Sequence, residues 1–450
     1  MFRHFRVCVL LLAVGCAASW NSTVSADAGG DWPQFRGPNR DGVSMETDLL
    51  ARWPDEGPSR LWTAGGLGHG FPTASIAAGR IYTAGDADGQ TLITALNRQG
   101  ETLWQAPNGP GWVGSRPGHP GARGVPTIEG DQLFHLSPFG HLIALDAASG
   151  QPQWQKNILE AFDSENIQWA MAASVLVDDS RVIVVPGGPN TTVVALDRHD
   201  GHLVWKSPPT GDLAGYGSPV IVEHDGLRMV VTMTSKAVIG VRAADGKLLW
   251  RFEHETPWDE NIFTPLHHQG QIFISTQFTG SVMLGLQVAG DTCTVEEIWR
   301  TKDLDNHHGG VVRLGDYLYG SGRGNRERWA CLDWHTGETQ YLERGVGKGS
   351  VVAAEGMLYT LSERGQMGLV PATPEGHEVV SQFRLPSRGK GPVFAHPVVS
   401  GGRLYLRHGE YLYCYDIARD REASYHSGQS ATDLQAFVEK LDTRPDRPGE

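Results

Sequence analysis

The sequence predicts an all-β fold: an eight-bladed β-propeller of four-stranded antiparallel blades, its ring closed by an N-terminal strand near Trp62. Three observations carry this. One phrase recurs along the chain, an apolar strand followed by Asp, a short step to Gly, and another short step to an aromatic. Its clearest copies are LIALDAASGQPQW (142–154) and VVALDRHDGHLVW (193–205). The aromatic ends Trp62, Trp104, Trp154, Trp205, Trp250, Trp299, Tyr341 and Phe383 follow one another at intervals of 42 to 51 residues, the period of a four-stranded blade. A second motif, a small or Pro-containing opening before an apolar strand, occurs eight times, at Phe71, Val125, Met171, Gly217, Phe263, Gly309, Gly349 and His396.

Each element of the phrase has a physical role. Alternating apolar residues make a half-buried strand, and Asp with Gly turns the chain. Gly150, Gly201, Gly246 and Gly337 take the positive φ that a short bulged hairpin requires. An aromatic at a fixed point supplies inter-blade packing. Eight openings match eight aromatics only when Trp62 completes the last blade, which lacks an outer strand of its own. Such closure removes exposed sheet edges. The rival is a seven-blade ring with one repeat misread.

The expected organisation is a signal peptide over 1–26, an extended segment over 27–58, the propeller over 59–418, and a tail over 419–450. Arg3 and Arg6, an apolar run over 7–18 and the Val-Ser-Ala ending at Ala26 are the pattern of a secretory leader. Cys16, after Ala-Val-Gly, offers the alternative of a lipid anchor. No stretch reaches the roughly 18 to 20 apolar residues of a membrane-spanning helix, so an exported, periplasmic or extracellular monomer is expected. The stretch DWPQFRGPNRDGVS (31–44), rich in Pro, Gly and Asn, is expected to lie extended across the surface. Leu434, Phe437, Val438 and Leu441 fall at helical spacing and predict a short docking helix over 433–442.

Composition excludes some functions. The net charge of −13 offers nucleic acid no basic face. Of five cysteines, two fall in the leader, and Cys293, Cys331 and Cys414 are too few and too scattered for a disulfide framework.

ALDAASGQPQW and ALDRHDGHLVW resemble the tryptophan-docking repeats of the pyrroloquinoline quinone-like propellers. That superfamily includes quinoprotein alcohol dehydrogenases and the propeller lipoprotein of the bacterial outer-membrane assembly machinery. DWPQFRGPNRDGVS and DNHHGGVVRLGDYLYG also resemble exported propellers of planctomycete-type bacteria. The resemblance covers 31–416 and implies the propeller fold. The dehydrogenases would add a quinone with calcium held by oxygen ligands, for which Asp259, Glu260, Asn261, Asp305 and Asn306 are the acidic and amide groups near blade entrances. The adjacent cysteines that stack over the quinone in many such dehydrogenases are absent, and so is a Cys-x-x-Cys-His haem attachment.

Residues just ahead of each inner strand are expected to line the mouth of the channel. This collects Arg123, Trp169, Tyr216, Asn261, His307, His308, Lys348 and His396 as candidate ligand- or cofactor-binding residues. No metal site is expected. Successive residues of an extended strand point to opposite faces, so at most one of His307 and His308 faces the funnel, and His267-His268 lies within a blade hairpin. The long insertion 107–123, with Trp112, Arg116 and His119, is placed to cover the funnel. The leading expectation is a binding or scaffolding module for an extracytoplasmic protein, peptide or glycan. The alternative is a quinone-dependent oxidoreductase of alcohols or sugars.

Overall fold

The computed structural model describes residues 30–114 and 119–419. Eight antiparallel sheets follow one another around the ring, over 75–110, 127–157, 176–206, 220–253, 266–301, 306–343, 349–384 and 398–416. The eighth blade takes its outer strand from Arg60–Ala64, which pairs with Tyr411–Asp416 in the register Trp62↔Cys414 and Ala64↔Leu412. The ring is therefore eight-bladed and closed by the N-terminal strand. Among the described residues the one α-helix is Ile158–Phe162, between blades 2 and 3. The proposed leader, Cys16 and the 433–442 helix lie outside the described residues.

Burial follows from blade-on-blade stacking. A blade sandwiched between two others has both faces covered, so its middle strands read as near-continuous apolar runs. Val230, Val231, Val238 and Ile239 of blade 4 are fully buried, as are Ile272, Phe273 and Ile274 of blade 5.

The recurring Trp fastens each blade to the next. Trp62 Nε1 donates to the Arg98 carbonyl at 2.9 Å, Trp104 to Ala147 at 3.3 Å and Trp154 to Arg198 at 2.8 Å. Trp205 donates to Ala243 and Trp299 to Trp334, both at 3.0 Å. In each case the acceptor lies in the turn of the following blade, and the indole face covers that turn's Gly. The phrase's glycine thus has two reasons to be glycine, its positive φ and the ring above it. Trp250 departs from the pattern: it lies over Gly240 of its own sheet, and its indole nitrogen has no acceptor.

The N-terminal segment does not lie across the surface. It enters the axial channel and touches the inner strands. Trp32 exchanges main-chain hydrogen bonds with Ile76 of blade 1, and Ile128 of blade 2 donates to the Pro33 carbonyl. Val43–Ser44 adds in parallel to the inner strand of blade 7, Gly349–Ala354. Two buried arginines lock the segment in place. Arg36 Nη2 donates to the carbonyls of Asp41 (2.6 Å) and of Val311 in blade 6 (2.5 Å). Arg40 reaches the carbonyls of Ser174 (3.2 Å), Pro219 (3.0 Å) and Val175, beside blades 3 and 4. Polar composition suggested a solvated stretch, but inner strand edges carry unpaired carbonyls that require donors, and forked guanidinium groups supply them.

Candidate functional site

In each blade the inner strand starts at one mouth of the channel, and the second strand returns to it. Residues just before the first strand and just after the second therefore meet at this mouth. They line a cavity of about 720 Å³ whose walls include Phe35 and Arg36 of the inserted segment. A second cavity, of about 500 Å³, is lined by Gln34, Pro38, Arg40 and Asp41 of the same segment together with His267 and His268. The segment thus contributes to both cavities.

Seven of the eight candidates line the larger cavity: Arg123, Trp169, Tyr216, His307, His308, Lys348 and His396. Asn261 does not. It is fully buried, and its Nδ2 donates to the carbonyls of Thr234 (2.8 Å) and His254 (2.9 Å), tying two turns together.

One wall is aromatic. The rings of Phe71 and Phe394 are 5.0 Å apart, with His119 against both. The Arg123 guanidinium lies 5.7 Å from the Phe71 centroid, and its Nη1 and Nη2 donate to the carbonyls of Gly121 and His119. Burial pushes its pKa down to about 10. Trp169 and Tyr216 lie 5.9 Å apart, and the Trp169 amide donates to the Tyr216 hydroxyl. Burial raises that phenol to about 12. Within the 107–123 insertion, His119 and Arg123 line the cavity, while Trp112 packs on Phe139. Arg116 lies outside the described residues.

The adjoining wall is an acid–base cluster, the His308 ring lying 3.8 Å from that of Phe394. Lys348 Nζ sits 2.6 Å from Glu363 Oε1 and 3.4 Å from His307 Nδ1. His308 Nε2 is 3.3 Å from the same Glu363 oxygen, and His307 Nε2 is 3.9 Å from Glu260. His396 Nε2 donates to the His308 carbonyl at 2.8 Å. Burial, reinforced by Lys348 and Arg323, pushes His307 down to about 3, and burial first of all holds His308 well below the usual imidazole range. His396 is pushed down to about 3, chiefly by burial, whereas burial raises the Glu260 carboxyl. At neutral pH the three imidazoles are therefore uncharged.

Both His307 and His308 face the cavity, against the expectation from strand alternation. Their ring centroids are 4.2 Å apart. The ladder explains why: Asn306 pairs with Gly322, but the next pair is Val311 with Gly320, so 307–310 bulge out of register. A bulge cancels the two-residue alternation locally. Asn306 clamps it, donating to the carbonyls of Gly310 (3.0 Å) and Ser321 (2.9 Å) and accepting from the Gly310 amide (3.0 Å).

Gln277, Arg323 and Glu363 line the cavity and were missed by considering only residues ahead of inner strands. Each directly follows a second strand, Gln271–Thr276, Tyr317–Gly322 or Met357–Ser362. Of the oxygen groups considered for calcium, Glu260 and Asn306 line the larger cavity, while Asp259, Asn261 and Asp305 do not. Asp259 pairs with Lys236 at 2.7 Å, and Asp305 accepts from the amides of Gly324 and Phe278.

The family described as outer membrane protein assembly factor BamB matches residues 88–341. The chain belongs to this family. A Yersinia pestis relative of that name is 28% identical over 135 residues, 29% of this chain and 32% of the relative. A Shewanella oneidensis relative is 25% identical over 162 residues, 35% of this chain and 38% of the relative. The matched stretches thus span about a third of those relatives. Among solved structures, BamB from Moraxella catarrhalis superposes with a TM-score of 0.55 at 14% identity, covering 80% of this chain and all of that one. A quinohemoprotein alcohol dehydrogenase from Comamonas testosteroni superposes with 0.59 at 13%, covering 87% and 81%. At these identities the likeness is one of fold. A propeller of this family is consistent with a binding or scaffolding role, and among the described residues no helix is long and apolar enough to cross a membrane.

Proposed function

We propose that the protein is an exported binding module that holds a short saccharide of a glycan partner in the larger cavity. The observation carrying this reading is the meeting of two unlike walls, at Phe394 and His308, in one cavity of about 720 Å³. Its volume falls in the range of small-molecule sites, about 300–1,000 Å³. Phe71, Phe394, Trp169 and Tyr216 give flat apolar faces on which the C–H face of a sugar ring stacks. Beside them, Glu260, Glu363, Lys348 and the neutral imidazoles offer donors and acceptors for ring hydroxyls. Export rests on the leader pattern of residues 1–26.

The test is calorimetric titration of the purified mature protein with a panel of oligosaccharides, with pyrroloquinoline quinone plus calcium in the same panel. At least one oligosaccharide should bind. Phe71→Ala and Trp169→Ala should each weaken it at least tenfold, about 1.4 kcal/mol, with cooperative melting retained. Absence of any saccharide binding, affinity unchanged in both variants, or stoichiometric quinone binding would overturn the reading.

A further inference from the structure

The acid–base wall carries a second conclusion, independent of what fills the rest of the cavity. We infer that His307, His308 and Glu363 form a site for a divalent first-row transition metal, zinc or cobalt, beside the Lys348 ammonium, which competes with the ion for Glu363.

Geometry is the first support. One donor atom from each of the three residues lies within 4.8 Å of the other two. His308 Nε2 and Glu363 Oε1 are 3.3 Å apart, the separation of two tetrahedral ligands each about 2.0–2.1 Å from one ion. The Asn306-clamped bulge brings His307 to the same side. Lys348 Nζ, close to both Glu363 and His307 Nδ1, marks where positive charge is favoured.

The second support is incomplete satisfaction. His308 Nε2 and Glu363 Oε1 are both buried, and neither has a well-aligned hydrogen bond. Lys348 is near Glu363 but poorly aimed at it, so it neutralises the carboxylate without satisfying it. A buried lone pair with no donor is costly, and a metal ion would engage it.

Chemistry selects the ion. Two imidazoles and one carboxylate suit zinc, cobalt or nickel, whereas calcium and magnesium take all-oxygen sets. The His396 bond to the His308 carbonyl fixes the strand from outside the triad, as supporting partners do in metal sites. The cavity leaves the remaining coordination position open to a ligand oxygen. The other His/Asp group, Asp197, Asp200 and His202, is partly exposed and turn-bound, with His202 Nδ1 2.6 Å from Asp200, and serves as an internal control.

The experiment is titration of the tag-free protein with Zn(II) by calorimetry and with Co(II) by visible absorption, circular dichroism verifying each fold. One equivalent should bind, with a cobalt spectrum of low coordination number. His308→Ala and Glu363→Gln should each weaken binding at least tenfold, and Lys348→Met should strengthen it at least tenfold by removing the competing cation. His202→Ala should change nothing. The inference is overturned by absence of binding in both the natural protein and Lys348→Met, by Lys348→Met binding no tighter, or by binding that survives His308→Ala and disappears with His202→Ala. Failure of oligosaccharide binding leaves the cobalt spectrum unaffected, so the two readings fail separately.

Discussion

The indole of Trp154 donates to the Arg198 carbonyl of the next blade at 2.8 Å and covers the α-carbon of Gly201, where an added Cβ would sit 2.7 Å from the ring. Sequence, hairpin and inter-blade contact meet in this one pair. Gly201→Ala should destabilise the ring by about 2–5 kcal/mol, combining overpacking of about 1–3 with the left-handed backbone cost of about 1–2. Gly211→Ala is the comparison: its φ is also positive, at 82°, but nothing lies within 4 Å, so only the backbone cost applies. Denaturant midpoints of the two variants check the difference, and equal losses would show that the indole contact does not matter.

Arg40 should be the more sensitive anchor of the inserted segment. Arg40→Ala removes the donor from the carbonyls of Ser174 and Pro219, while that of Val175 keeps the Thr127 hydroxyl, a loss of about 2–6 kcal/mol at roughly 1–3 per buried acceptor. Arg40→Lys should recover little, because a point donor cannot span the fork. Chemical denaturation, with limited proteolysis of 31–46, measures it. Protection identical to the natural protein would count against the anchor.

Deleting Arg60–Ala64 should expose the edge of Tyr411–Asp416. An open strand edge is a template for pairing with other chains. Size-exclusion chromatography should show oligomers and calorimetry a broadened transition. A monomer with an unchanged melting profile would mean that ring closure contributes nothing.

Stability should fall as pH drops from about 6.5 toward 5. Burial lowers His135, His254, His267 and His377 to about 4, and His307 and His396 to about 3. Above about 6.5 these groups are neutral whether folded or unfolded. Below it the unfolded chain binds protons that the folded chain refuses, so each group removes up to about 1.4 kcal/mol per pH unit. Urea midpoints at pH 7, 6 and 5 should decline, and His135→Gln should flatten the decline by about one group. A flat profile would contradict neutral burial.

The ring was legible because one phrase encodes a turn and a docking contact together, and both recur at a blade's length. The closure by Trp62 followed from matching openings to aromatics. Seven of eight candidate residues line one cavity because the position ahead of an inner strand is a topological address. Asn261 has that address, yet its amide is spent on the carbonyls of Thr234 and His254, which no local pattern shows. The His307-His308 orientation was misread because alternation presumes a regular ladder, and the bulge depends on partners near Ser321 and Gly322. Arg36 and Arg40 looked like solvated residues of a polar stretch because their acceptors lie more than a hundred residues away.

The inserted N-terminal segment makes the larger cavity a blind well, with Phe35 and Arg36 among its lining residues. Whatever enters leaves by the same mouth. A polymer cannot be threaded through the ring or moved along it. A glycan of the kind proposed would be sampled only at a terminus or branch tip, so its recognition would count loose ends rather than chain length.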